Sequence, residues 1–416
     1  AQQKMLATTS SNISNVSTQG YTRQSTVLYS NQNTLGVGDS VTRRLYSVYA
    51  QTQLWQDTAT YNQVSTTYDE ASQLDKYLSN SATSLSDGID SFFSGLQSAN
   101  SSPNTTANRQ DILSQVSSLA SRFQSVSSDL TDQYEGINRK ITTEVKDINS
   151  LIASVSDLNA QILKTPAADD DGSRANLLDQ RDELIRQLSE KIDIRTVSQD
   201  NGTVQVNLST GQSLVLVSDY AQLSVLDGDP DPQNTNIQIK LGNATTKIEG
   251  ESLGSSLGGY FASRDIIDNA QKEIGQLSLA FADAMNTQNK LGMTLNNTIG
   301  GDLFTLPTSN AQAYSSNGGT GAISASVIPG SGSDITPNDL YVEFTSANTY
   351  DVYLLDGDTK TPLMSGSTPP ATADVVSTSG VKYGLQLTIS GSPTTNDKFL
   401  LQPTKDAAKG LNAEVT

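Results

Sequence analysis

The spacing of apolar residues along this chain changes character several times, and each change predicts a different element. Residues 1–17 place Met5, Leu6, Thr9, Ile13 and Val16 near one face of a short amphipathic helix that breaks at Gly20. Residues 21–44, with glycines at 36 and 38, read as irregular or extended. From Leu45 the period is helical: Leu45, Val48, Thr52, Trp55 and Ala59 continue through Tyr61, Val64, Tyr68, Ala71, Leu74 and Leu78. After the breaker Ser101-Ser102-Pro103 comes a sustained heptad stripe. Ile112, Val116, Leu119, Phe123, Val126, Leu130, Tyr134, Ile137, Ile141, Val145, Ile148, Leu151, Val155, Leu158 and Ile162 recur at spacings of three and four. A helix over 108–163 would be about 80 Å long. Such a rod cannot bury its stripe alone, and the 45–97 stretch is the nearest antiparallel partner. Pro166 and Asp169-Asp170-Asp171-Gly172 end it.

A further helix over about 174–192 carries Leu177, Leu178, Arg181, Leu184, Ile185, Leu188 and Ile192 on its face. The period then becomes two. Thr203 to Leu208 and Ser213 to Val217, with the Asp200-Asn201-Gly202 turn, predict β-hairpins through about residue 250. Helix returns over 257–290 through Leu257, Phe261, Ile267, Ala270, Ile274, Leu277, Phe281 and Ala284, with Gly292 just past its end. Residues 293–405 read as β throughout, with strands near 340–345, 350–355, 383–389 and 397–402. The fold class is therefore α+β and multidomain. A long antiparallel helical bundle or coiled-coil rod carries a small β-hairpin insertion, and a separate all-β domain follows. In residues, 1–44 form an N-terminal helix and extended arm, and 45–292 the rod, with its insertion at about 194–252. Residues 293–405 form the β domain, and 406–416 begin a further segment.

Composition narrows the chemistry. The 416 residues include no histidine and no cysteine. That removes imidazole bases, thiol nucleophiles, disulfides and the usual zinc or iron–sulfur sites. Net charge is −18. It divides into +3 over residues 1–44 (Lys4, Arg23, Arg43 and Arg44 against Asp39) and −21 over the remainder. The acidic balance argues against a nucleic-acid partner, which needs clustered Lys and Arg. Only 17% of residues are charged, and Ser, Thr, Asn and Gln fill the gap. The longest apolar runs, such as Leu214 to Val217, are four residues, so no membrane span is expected.

The acidic clusters do not complete a cation loop. Asp227, Asp229 and Asp231 have the right alternate spacing, but Pro232 stands where an EF-hand needs Gly and Gln238 where it needs Glu. Asp169, Asp170 and Asp171 follow Ala167 at the first ligand position, and Asp356 and Asp358 lead to Lys360. All three read as acidic surface turns. Gly318, Gly319 and Gly321 lack the third glycine of a dinucleotide loop. Asp182 and Glu183 read as solvent-facing helix charges, and the sequons at Asn12, Asn15, Asn104 and Asn207 carry little weight in so amide-rich a chain. No catalytic, cofactor-binding or metal-ligating residue is assigned, and no enzyme activity is expected.

One local motif is specific. The run from Ser11 to Gln24 resembles the N-terminal signature of flagellar rod, hook and hook-associated axial proteins, matching at Asn12, Asn15, Thr18, Gly20, Tyr21 and Arg23. Asn176-Leu177-Leu178-Asp179-Gln180-Arg181-Asp182 is similar to a stretch typical of the hook-associated protein 1 family, the hook–filament junction proteins. So are Gly254 to Gly259, Gly275 to Leu277, Phe281 to Asn286, and the closing segment from Gly391 to Pro403. The resemblance implies a non-catalytic subunit, exported unfolded through the flagellar type III channel and assembled outside the cell as a homo-oligomeric ring. Its implied partners are the hook protein, the neighbouring hook-associated junction protein, and an export chaperone acting through a C-terminal segment. The six matching residues would be the assembly motif.

Two other readings explain less. A secreted adhesin with the β domain as its binding head accounts for the rod and the acidity, but not for the ordered string of junction-like segments. A carboxylate enzyme acting on surface polysaccharide would need converging acids in the β domain, where Glu343 is the only glutamate from 293 to 404. The resemblance also implies a core fragment lacking the family's polymerising terminal helices. The chain is accordingly expected to be monomeric in solution, and a stable oligomer in light scattering would count against that.

Overall fold

The computed structural model describes every residue except 1, 32–35, 81–83, 104, 167–171, 218, 295, 358, 369–371 and 415–416. The Asp169-Asp170-Asp171 turn, Asn104 and Asp358 therefore lie outside the described residues. Helix α1 (Gln2–Ser14) is followed by β1 (Gln24–Asn31), β2 (Gly36–Arg44), α2 (Val48–Leu78), α3 (Leu85–Ser101), α4 (Thr106–Lys164) and α5 (Ser173–Lys191). Seven short strands come next: β3 (Ile194–Ser198), β4 (Val204–Leu208), β5 (Ser213–Leu216), β6 (Asp219–Tyr220), β7 (Gln222–Leu226), β8 (Asn236–Leu241) and β9 (Ala244–Ile248). Helix α6 (Ser255–Lys290) leads to β10 (Phe304–Thr305), β11 (Ser309–Asn310), β12 (Gln312–Ala313), β13 (Ala322–Val327), β14 (Asp339–Ser346) and β15 (Thr349–Asp356). The chain closes through β16 (Thr359–Ser367), β17 (Thr372–Val376), β18 (Lys382–Ser390), β19 (Lys398–Leu401), α7 (Ala407–Gly410) and β20 (Asn412–Ala413). The fold is α+β and multidomain. Segment 21–44, expected to be irregular or extended, contains an antiparallel hairpin in which Gln24 lies opposite Arg44.

Contacts divide the chain into two compact units. The first comprises residues 1–70, 137–226 and 235–263. Its part of α4 buries Ile141, Val145, Ile148, Ile152, Val155 and Ile162, with Ile152 rather than Leu151 fully covered. The strands form two antiparallel sheets, β3-β4-β5-β6 and β7-β8-β9. Amides on α4 hold both sheets. Asn149 accepts from the Leu223 N–H at 2.8 Å and donates to the Leu223 carbonyl at 2.8 Å. Asn159, fully buried, does the same for Val204 at 3.2 and 2.9 Å. Each amide supplies both partners that one backbone residue would otherwise find on a neighbouring strand.

On α2 the apolar stripe read from the sequence is two stripes. Trp55 and Ala59 are buried, whereas Tyr61, Val64 and Tyr68 are 71%, 65% and 70% exposed. The reason is angular: the step from Ala59 to Tyr61 turns the helix by about 200°, so the later residues lie on the opposite face.

The second unit comprises residues 71–136, 227–234 and 264–416. One core joins Phe92, Val116, Leu119 and Phe123 to Ala282, Phe304 and Leu411. A second core lies among the strands, where Leu340, Val342, Phe344, Tyr350, Val352, Leu385, Leu387 and Phe399 cluster with Leu279 of α6. Two antiparallel sheets build it, ordered β12-β19-β14-β15-β16 and β11-β13-β18-β17. The inward phase of α6 differs from the expected one. Leu277 is 44% exposed, while Gln271, Ser278, Asp283 and Asn286 are buried. Three of these polar side chains meet backbone groups, whereas Gln271 Nε2 donates to the Thr131 hydroxyl at 3.2 Å. Asp283 accepts from the Gly330 and Gly332 N–H groups, and Asn286 brackets Phe304 through both its N–H and its carbonyl. Gly275 is obligatory for a different reason, since a Cβ there would fall 1.7 Å from the Thr404 carbonyl oxygen.

The acidic turn at 227–231 is not wholly a surface feature. Asp231 is buried and pairs with Lys405 at 2.8 Å, which also reaches Asp268 at 3.3 Å. Lys272 in turn pairs with Asp268 at 2.7 Å and Asp339 at 2.9 Å. Acid and base thus alternate from Asp231 through Lys405, Asp268 and Lys272 to Asp339. Burial alone would lower the Lys405 and Lys272 ammonium values, but the facing carboxylates more than offset it and hold both above the ordinary 10.5. Burial alone would raise Asp268, yet Lys272 and Lys405 hold it below its ordinary value, whereas burial prevails at Asp339 and raises it.

The lysines therefore stabilise the fold fully below their unfolded value, and that stability is lost as pH rises through their folded values. Lys405→Met removes one such contribution and leaves buried Asp231 without its cation, while Asp268 keeps Lys272. It should cost about 3–5 kcal/mol at neutral pH. It should also flatten the fall of the urea midpoint above about pH 10.5, the ordinary lysine value at which the loss begins. An alkaline slope identical to that of the unaltered chain would refute this account.

Candidate assembly site

The motif at 12–23 folds as a tight turn after α1. Backbone bonds from Asn15 N to Ser11 O, Thr18 N to Asn15 O and Tyr21 N to Thr18 O carry the chain round. Gly20 makes this possible with φ of +81°, a region that costs a side chain strain. A Cβ there would also lie 3.0 Å from Glu183 Cβ, so the turn packs closely on α5.

The motif residues hold one another. Asn12 Oδ1 accepts from the Gln24 N–H and from the Tyr21 hydroxyl, both at 2.9 Å, while Nδ2 donates to the Gln24 carbonyl at 2.9 Å. This is the same bracket that Asn149 and Asn159 make elsewhere. Asn15 Nδ2 donates to the Ser11 carbonyl, and the Thr18 hydroxyl donates to Asn15 Oδ1. Five of the six expected residues, Asn12, Asn15, Thr18, Gly20 and Tyr21, therefore form one turn. Arg23 differs: its carbonyl accepts from Leu45 N, but the residue is exposed.

The Asn176–Asp182 segment of α5, read as a separate stretch of sequence, comes to the same place. Arg44, at the end of β2, donates through Nη1 to Asp179 at 2.8 Å and to Asp182 at 2.7 Å. The side chains of all three are at most 8% exposed. Arg181 donates to Asp182 at 2.9 Å and to the Gly202 carbonyl at 2.6 Å, so two guanidinium groups and two carboxylates form a neutral quartet. Burial alone would depress Arg44, but Asp182 and Asp179 raise it above its ordinary value, keeping it charged. Asp179 also accepts from the Thr22 N–H at 3.0 Å, and Gln24 Nε2 donates to Asn176 Oδ1 at 2.9 Å. Between the turn and α5 lies a groove of about 550 Å³, with Asn15, Tyr21, Leu158, Glu183 and Leu184 on its walls.

Asp182 is thus buried and ion-paired rather than solvent-facing, because Arg44 and Arg181 supply the compensation that a buried carboxylate needs. Glu183, half-buried, pairs with Arg186 at 2.8 Å. Sequence reasoning missed Arg44, Asp179 and Asp182 as a set. The available signal was Arg181, a charge on the apolar phase of its helix.

The geometry is that of a braced structural element, with most of its polar groups committed to one another. Residues 71–304 match the family described as the flagellar hook-associated protein FlgK helical domain, and residues 1–22 match the flagella basal body rod protein family. Together these define a structural, non-catalytic component of the bacterial flagellum. The chain is 32% identical to flagellar hook-associated protein 1 of Escherichia coli strain K12, an alignment covering all of this chain and 76% of that protein. It is 26% identical to the Bacillus subtilis protein of the same name, over 80% of this chain and 74% of the relative. The solved flagellar hook junction protein FlgK from Burkholderia pseudomallei superposes with a TM-score of 0.74 at 29% identity. That match covers 87% of this chain and 64% of the Burkholderia chain, just under two thirds of its length. This chain belongs to the flagellar hook-associated protein 1 family.

The Asn12 bracket is separable from the body of the fold. Asn12→Ala should weaken the turn by about 1–2 kcal/mol, since two backbone partners of Gln24 are lost at a half-exposed site. Limited proteolysis should then cut between residues 12 and 24 faster, with the urea midpoint of the body unchanged. An unaltered cleavage rate would count against the bracket.

Proposed function

We propose that this chain forms the junction between hook and filament, working outside the cell as one subunit of a homo-oligomeric ring. The hook protein and the neighbouring hook-associated junction protein would be its axial neighbours. Residues Asn12, Asn15, Thr18, Gly20, Tyr21 and Arg23 would form its assembly motif. The observation that carries this reading is the presence, in one chain, of a rod-type N-terminal segment and the hook-associated helical domain. The name of the Burkholderia relative, a flagellar hook junction protein, points the same way.

Unsatisfied apolar surface supports the assembly reading. Helix α1 buries none of its side chains, leaving Leu6 and Ile13 72% and 69% exposed. On α2, Leu54, Tyr61, Val64 and Tyr68 form an exposed stripe at heptad spacing. Apolar stripes of this kind are disfavoured in water and are covered in assemblies.

Deletion of the gene should leave cells with hooks that carry no filaments, and flagellin should be shed into the medium. Electron microscopy of the cells and an assay of the medium read this directly. Normal filaments on such cells would end the proposal.

A further inference from the structure

The N-terminal motif is fixed to α5 by charge and hydrogen bonds rather than by burial of α1. One carboxylate is central. Asp179 takes the Arg44 guanidinium on Oδ1 and the Thr22 N–H on Oδ2, tying the base of the hairpin and the motif turn to one point on α5. Asp182 holds the same guanidinium from the next turn of the helix. Gln24, bracketed by Asn12, adds a second tie to Asn176.

We propose that Asp179, with Arg44 and Asp182, is a positioning latch for assembly: it sets the direction in which α1 and Arg23 face neighbouring subunits. The inference rests on residues 12–23 being the assembly motif, and adds the residues that aim it. Buried ion quartets contribute little net stability compared with apolar packing, because desolvation offsets attraction. What they supply is position: a single charged donor, Arg44 Nη1, bridges Asp179 and Asp182 and so fixes where the end of β2 sits on α5. With no buried side chain, α1 is held by polar bonds to β1, from Thr8 to Thr26 and from Asn12 to Gln24, and the quartet fixes that hairpin on α5.

The test uses the protein expressed in cells lacking its own gene copy. Asp179→Asn should speed hydrogen exchange at the Thr22 amide by roughly a hundredfold. Exchange at the Val204 and Leu223 amides should be unchanged, and attached filaments should be lost. Arg44→Met should reproduce the defect from the hairpin side and replaces Asp179→Asn should that variant fail to fold. Arg44→Lys, which keeps the charge and a donor, should retain most attachment, an outcome that mere loosening of the fold would not give. Normal attachment despite fast Thr22 exchange would overturn the latch, and so would unchanged exchange. Thr18→Ala and Arg23→Ala, at exposed side chains of the motif away from the Asp179 bonds, separate the two claims. If they abolish attachment while the latch variants do not, only the latch falls. If they too leave attachment normal, the assembly-motif reading falls with it.

Discussion

A backbone residue that leaves a sheet or meets a helix must still find partners for its N–H and its carbonyl, and in this chain an asparagine supplies both. Asn12 on Gln24, Asn149 on Leu223, Asn159 on Val204, Asn286 on Phe304 and Asn317 on Lys398 all make the two-bond bracket. The primary amide carries one acceptor and a donor pair at the spacing of a peptide edge, so it acts as one residue of an absent strand. Without these brackets the start of β4 and the free edge of β7 would meet α4 with buried, unpaired polar groups, each costing about 1–3 kcal/mol. The amide-rich composition therefore has a structural use: it lets helices hold strands.

Charge plays the complementary part where three or more segments converge. The Arg44, Arg181, Asp179 and Asp182 quartet gathers β2, the motif turn and α5. In the other unit, the alternating chain from Asp231 to Asp339 gathers a turn, α6 and the start of β14. Both are buried and close to neutral as groups, which is the condition for charges to sit inside a protein at all. The two junctions engage nine of the chain's 70 Asp, Glu, Lys and Arg side chains.

Periodicity reveals elements in the sequence but not which polar residues turn inward. The helix at 106–164, the switch to period two after Ile192 and the strands at 339–346 and 382–390 follow directly from apolar spacing. In the hairpin at 24–44, Val27 and Leu28 are adjacent and so fall on opposite faces, and no apolar alternation marks the strand. On α6 the apolar reading favoured Leu277, whereas Ser278, Asp283 and Asn286 turn inward; Ser278 bonds the Gly275 carbonyl one turn back, and Asp283 and Asn286 bond backbone groups farther along the chain. The motif at 12–23 was legible as a string of letters. Its attachment to Asp179 and Asp182 was not, because an ion pair across 135 residues leaves no local pattern.

The same inversion bears on function. Inside, polar amides and ion pairs do much of the holding. Outside, Leu6, Ile13, Tyr61, Val64 and Tyr68 remain exposed on the two N-terminal helices. An isolated enzyme domain gains nothing from such a distribution, since exposed apolar stripes promote association. A subunit whose neighbours complete its burial gains twice. Its internal polar bonds fix the shape before assembly, and its apolar faces supply the non-directional driving force once that shape brings them into register. The absence of histidine and cysteine fits the same economy, because a part that joins others needs geometry and surface rather than reactive groups.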